Sequence, residues 1–194
     1  MDWAIPIQTF QVENVQLGSL LQGSKPLTPL AYKDSDFSFP SLILLLPKLK
    51  VKSYDSATGR LIISLADFPQ ILSKLMMLQD MLLTAVYINQ QRWFPKSQMR
   101  KLQELRGAFQ PMLFEQEMHL YCPCQTATIQ GPSIFKGGAW SKNSLQPGYI
   151  QSDSTIRLVL RIQGISFHIH PLTGQWSGKF RLQHKILGVL VSSD

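Results

Sequence analysis

Two runs of alternating apolar and polar residues, 156–169 and 178–191, dominate the last third of the chain. Ile156, Leu158, Leu160 and Ile162 share a parity opposite to Arg157 and Arg161, and Phe180, Leu182 and Ile186 oppose Lys179, Arg181, Gln183 and Lys185. Side chains of a strand alternate between faces, so the pattern predicts two strands, each with an apolar and a basic face. Pro171-Leu172-Thr173-Gly174 between them is a turn cluster that favours antiparallel pairing. An earlier hairpin is predicted from strands over 42–54 and 60–65, because Asp55-Ser56-Ala57-Thr58-Gly59 supplies turn residues and a glycine able to take positive φ.

The period changes in the middle of the chain. Ile71, Leu75, Leu78, Leu82, Ala85 and Asn89 recur at spacings of three and four, which predicts a long helix capped by Asp67, with Pro69 in its first turn, running to about Gln90. Leu72, Met76, Met77, Met81, Leu83 and Val86 broaden its apolar stripe, so burial against a sheet and contact with a second chain are both expected. Pro95 breaks the run. Ser97 can cap a second, short helix whose apolar edge is Met99, Leu102 and Leu105, ending before Gly107.

Elsewhere the pattern is weaker. Residues 3–17 read as an extended segment with a phase slip, 18–40 as a loop or arm, 112–121 as a strand, and 122–149 as a loop-rich stretch. The whole predicts one domain over residues 1–194, mainly β with inserted helices (α+β): a Greek-key antiparallel barrel or sheet with one long helix and one short helix. Residues 1–40 would form a partly extended N-terminal arm and 67–107 a helical insertion. The 44% hydrophobic content of the 194 residues supports a folded core. Asp2 and Trp3 stand where a secretory signal would be basic, and the apolar run 42–46 is too short to cross a bilayer, so a soluble intracellular protein without a membrane partner is expected.

Charge gives the basic faces a direction. Residues 1–117 carry 12 Lys and Arg against 10 acids, whereas 118–193 carry seven against Asp153 alone. Basic strand faces often serve only solubility, but solubility is usually achieved with both signs interspersed, and an uncompensated basic face repels itself unless an anion is expected. The pattern therefore points to a polyanion. A third strand joins the set: Lys48, Lys50, Lys52 and Tyr54 share one parity. Aromatic residues on which bases can stack are the second ingredient of a single-strand binder. Trp140 and Tyr149 lie in a Gly-rich, acid-free stretch near Phe135, with Gly137, Gly138, Lys136 and Lys142 placed to meet a phosphate. Trp176 sits beside the basic strands, where a core role is equally open to it. Arg92, Lys96, Arg100, Lys101 and Arg106 around the short helix either extend the phosphate track or form a solvated helix face.

Catalytic and metal signals are faint. Cys122 and Cys124 are too close to staple distant segments, and Cys-x-Cys beside His119, His168 and His170 lacks the usual zinc spacing. The run 174–179 has the wrong spacing for a phosphate loop and Phe180 where Ser or Thr belongs. No triad or carboxylate pair stands out, so no catalytic residue, metal or cofactor is expected.

The run Ile-Arg-Leu-Val-Leu-Arg-Ile-Gln-Gly-Ile-Ser-Phe, with Gly-Gln-Trp-Ser-Gly-Lys-Phe-Arg-Leu-Gln-His-Lys-Ile-Leu-Gly-Val after it, resembles the single-stranded DNA-binding proteins of large cytoplasmic DNA viruses, of the African swine fever virus type. The resemblance covers about residues 156–190. It implies an oligonucleotide-binding (OB) fold and a non-enzymatic, sequence-nonspecific role in viral DNA replication or repair. It also implies a place in the host cytoplasm at viral replication sites, or in the virion. The expected partner is single-stranded DNA, with RNA the alternative; the resemblance identifies no individual contacts, and strand parity with the loop aromatics assigns the grip to Lys48, Lys50, Lys52, Tyr54, Lys136, Trp140, Lys142, Tyr149, Arg157, Arg161, Trp176, Lys179, Arg181 and Lys185. A structural protein that docks a partner, or a second copy, through Met76, Met77 and Met81 is the competing expectation.

Overall fold

The computed structural model describes residues 3–136 and 139–191; the side chains of Lys136, Lys142 and Asn143 also lie outside the described set. In chain order, β1 (Ile5–Pro6), a 3-10 turn (Val12–Asn14), β2 (Val15–Leu17), β3 (Leu27–Lys33) and β4 (Ser38–Phe39) precede β5 (Leu42–Leu45), β6 (Leu49–Asp55) and β7 (Arg60–Ser64). The helices α1 (Pro69–Trp93) and α2 (Leu102–Ala108) follow. Short strands β8 (Phe109–Gln110), β9 (Leu113–Phe114), β10 (Glu117–Tyr121), β11 (Ser133–Lys136) and β12 (Ala139–Ser144) lead to the long pair β13 (Thr155–Ile169) and β14 (Trp176–Val191). The molecule is mainly β with two helices, as the patterning predicts. The 18–40 segment is not the loop expected, because β3 finds partners in β2, β4 and β13 that no local signal announces.

The long pair is the spine of the sheet, which runs β12-β11-β14-β13-β6-β7-β10-β9. β14 covers one edge of β13 along its length, and the other edge passes from β6 at 155–156 to β5 at 159–162 and β3 at 164–166. Gly164 makes the last hand-over possible. Its φ is +150°, and a Cβ there would lie 2.1 Å from the Thr28 carbonyl oxygen, so no other residue lets β3 approach.

The sheet is mixed rather than antiparallel, because β11 and β8 join β14 in parallel and β1 joins β5 in parallel. It is also not closed into a barrel. Among the described residues no ladder links β10 to β14. His184 Nε2 on β14 instead accepts a hydrogen bond from the Tyr121 amide at 2.9 Å, while β8 pairs β14 and β9 pairs β10 on either side of the gap.

Helix α1 lays Ile71, Leu75, Leu78, Leu82, Val86 and Trp93 into the same core as Leu158, Leu160, Ile162, Phe180 and Leu182. Each such side chain contributes about 1.5–3 kcal/mol of burial free energy. The helix starts at Pro69 with Phe68 as N-cap, and no side chain caps it; Asp67 lies one residue too early. It runs three residues past Gln90, until Pro95 ends it. Two glutamines on its buried face splice loops to the core. Gln79 Oε1 accepts from the amides of Met112 and Leu113, and Gln90 bonds both the amide and the carbonyl of Arg100. Met76 and Met77 stay outside at 50% and 56% exposure. The second helix begins at Leu102, not after Ser97, whose hydroxyl instead accepts from the Trp176 amide. The expected 112–121 strand is a hairpin, folded at Glu115 with φ 54°.

Candidate nucleic-acid interface

Parity on β13 and β14 is as the spacing predicts. Ile156, Leu158, Leu160 and Ile162 are buried, as are Phe180, Leu182 and Ile186, while Lys179, Arg181 and Lys185 are exposed and Arg157 and Arg161 are half-buried on the outer face. The register sets Arg161 directly opposite Lys185 and Arg181 opposite Ser166. Like charges in opposed positions are unfavourable in an empty sheet. Arg161 Nη2 donates to Ser41 Oγ at 3.0 Å, Arg157 Nε to the Leu46 carbonyl at 3.3 Å, and Arg181 Nε to Ser166 Oγ at 3.4 Å. Hydroxyl and carbonyl oxygens orient these guanidinium groups without neutralising them. Among the described residues none of these five cations has a carboxylate partner.

The row continues past Lys179 into an open groove of about 580 Å³ lined by Ser24, Lys25, Ser166, His168, Lys179 and Arg181, with no carboxylate among its described lining residues. His168 is oriented there by a 2.9 Å contact between Nδ1 and Ser177 Oγ. Lys25 is a cation that sequence reasoning missed. It sits in a Gly-Ser-Lys-Pro loop, with no periodicity to give it a face, and only the β3 to β13 pairing brings it here.

On β6 the structure departs from the parity expectation. Lys50 and Lys52 point outward, but Lys50 pairs with Asp153 at 3.1 Å and Lys52 with Glu117, so two of the three lysines are compensated by acids from distant segments. Lys48 is exposed. A register shift between Val51 and Ser53 then turns Tyr54 to the other side, opposite buried Leu61. Its hydroxyl donates to the Cys122 carbonyl at 2.9 Å and lies 3.3 Å from Cys124 Sγ, and burial pushes its pKa up. Tyr54 therefore belongs to the interior and not to the basic face.

The aromatic candidates also divide. Trp176 is 3% exposed and packs with Phe94, Phe167 and Phe180, its indole N–H donating to the Lys179 carbonyl, so it is a core residue. Arg100 covers it, 5.1 Å from the ring centroid, and donates to the Ser177 carbonyl; this arginine of the second basic cluster is a structural clamp. Arg106 pairs with Asp80 at 3.5 Å, while Arg92, Lys96 and Lys101 remain on the solvated surface. Tyr149 is half-buried against the core. Trp140 is half-buried on the outer face of the β13–β14 ladder, edge to face with Phe135 at 5.2 Å. Gly137, Gly138 and the side chains of Lys136 and Lys142 lie outside the described residues.

Cys122 is buried and its thiol is pushed up to about 12 by desolvation, which removes thiolate chemistry at neutral pH. Among the described residues no cluster of three His, Cys, Asp or Glu is placed to hold a metal ion. The chain matches no protein-family model, no curated protein and no solved structure.

Proposed function

We propose that this chain binds single-stranded DNA without catalysing a reaction, gripping the backbone along the outer face of β13 and β14 and stacking bases at its aromatic end. The observation that carries the reading is the row Lys179, Arg181, Lys185 and Arg161, which bears no acid among the described residues although it includes two cations directly opposed. Lys25 extends the row at one end and Arg157 at the other. Strands β14, β13, β6, β7 and β10 make an open arc that we read as OB-like, its mouth bridged by His184 and the 109–114 segment. On the resemblance over 156–190, we extend the reading to a role in viral DNA replication or repair. RNA is the alternative strand, since discrimination depends on contacts to the 2′-hydroxyl.

An anisotropy titration of labelled oligo-dT over a salt series tests it. Binding should weaken steeply with salt, with a log–log slope of about −3 to −4 for five or so neutralised phosphates. No binding at low salt overturns the reading, and cleavage of the oligonucleotide with magnesium or manganese overturns its non-enzymatic part.

A second reading rests on α1, where Met76, Met77 and Ile88 are 50%, 56% and 70% exposed on a helix that otherwise serves the core. Such a face suits a partner chain or a second copy. Light scattering after size-exclusion chromatography, with Met76 and Met77 replaced by Gln, separates a self-associating surface from an inert one.

A further inference from the structure

The β11–β12 hairpin extends the sheet beyond β14 at the end away from Lys179, and its Phe135 and Trp140 side chains border a cleft of about 870 Å³ on the outer face. Trp3, Phe135, Trp140, Val159 and Leu190 line it, and Arg157 is the one charged group among its described lining residues. Trp140 is seated against the strand itself: a Cβ on Gly188 would come within 2.5 Å of its ring. Phe135 closes on the same ring edge to face. The indole is thus held by neighbours before any ligand arrives. Arg157 is anchored through Nε to the Leu46 carbonyl, which leaves its two terminal nitrogens as donors with no partner among the described residues.

Aromatic walls and a fixed guanidinium suit a flat ligand with hydrogen-bond acceptors on its edge. Resting on the proposed DNA-binding reading, we infer that this cleft seats one nucleobase, guanine in preference to thymine, stacked on Trp140 with its O6 and N7 edge toward Arg157. An acyl chain with a carboxylate could also meet an apolar cleft with one arginine. Two observations favour the base: three of the lining residues are aromatic, and Arg157 lies on the same strand face as Arg161, so a strand held by the cationic row reaches the cleft directly. A base seat of this kind adds a local preference to a backbone grip that is otherwise indifferent to sequence.

The test compares dT15, dT15 with one central guanine and the same oligonucleotide with 7-deazaguanine, by anisotropy on the full chain at fixed salt. One guanine should tighten binding on the order of tenfold, and removal of N7 should return most of that gain. Arg157→Lys keeps the charge but loses the planar fork, and should reduce the guanine preference below about twofold. Arg157→Gln should do the same. If dT15 binds and guanine brings no gain, the base seat is wrong while the DNA-binding reading stands. If no oligonucleotide binds, both fall. Quenching of tryptophan fluorescence by dodecanoate, with none by the guanine oligonucleotide, would identify an acyl site and overturn the inference.

Discussion

Arg161 on β13 and Lys185 on β14 occupy directly opposed positions of one ladder, on the same outer face, with no acid beside them among the described residues. The repulsion makes an opposite-sign prediction. Lys185→Gln should stabilise the free protein by a few tenths of a kcal/mol while weakening oligo-dT binding and lowering the salt slope by about 0.7. Urea unfolding and the anisotropy salt series read the two effects separately. A variant that is less stable and binds normally would refute the grip.

Asp153 sits at φ 65° and pairs with Lys50, both side chains well exposed at 81% and 56%. Asn tolerates that backbone region, so Asp153→Asn removes the charge without straining the turn. Exposed pairs contribute at most about 1 kcal/mol, and the pair lies on β6 away from the β13–β14 row. Oligo-dT binding at low salt should tighten by no more than about threefold. A larger change would move the main grip toward β6 and the turn before β13.

Tyr54 and Trp176 should respond as interior residues. Tyr54→Phe removes the hydrogen bond to the Cys122 carbonyl and should cost about 1 kcal/mol in urea unfolding. Trp176→Ala empties the cluster with Phe94, Phe167 and Phe180 and should cost about 3–5 kcal/mol. Oligo-dT affinity of the folded fraction should stay within about twofold for Tyr54→Phe, because the hydroxyl faces away from the cationic row.

His184 makes stability depend on pH. Burial first, and the nearby Arg181 charge second, hold its pKa down at about 4, against 6.5 for the free side chain. The unfolded chain therefore takes up this proton at higher pH than the folded one. The contribution is complete above pH 6.5 and is lost as the pH falls through about 4, a loss of about 3 kcal/mol. Protonation also removes the Nε2 lone pair that accepts the Tyr121 amide across the open edge of the sheet. Urea midpoints at pH 7, 5.5 and 4 should fall more in the native protein than in His184→Gln; parallel profiles would remove His184 as the cause.

Local patterning was sufficient wherever one residue's neighbours in sequence are also its neighbours in space. The parity of β13 and β14, the turn between β6 and β7, and the apolar stripe of α1 are of this kind, because a strand or helix imposes its period on whatever side chains it carries. Lys179, Arg181, Lys185, Arg157 and Arg161 were therefore legible as one basic set. The charge asymmetry was equally plain in composition, but whether a given cation is free was not. Asp153 and Glu117 reach Lys50 and Lys52 only through pairings between segments far apart in the chain.

Long-range pairing decided the rest. A single register shift between Val51 and Ser53 turned Tyr54 inward, since one extra residue exchanges the faces of everything beyond it. The pairing of β3 at Gly164 brought Lys25 to the groove beside Lys179, and the parallel pairing of β11 with β14 set Trp140 over Gly188 to form the cleft above Arg157. The chain's own order thus specified which faces are basic and which are apolar. Only the tertiary structure specified which cations are neutralised, which aromatics are buried and where the cationic row meets an aromatic wall, because those depend on strands whose meeting is set by the collective packing of the core.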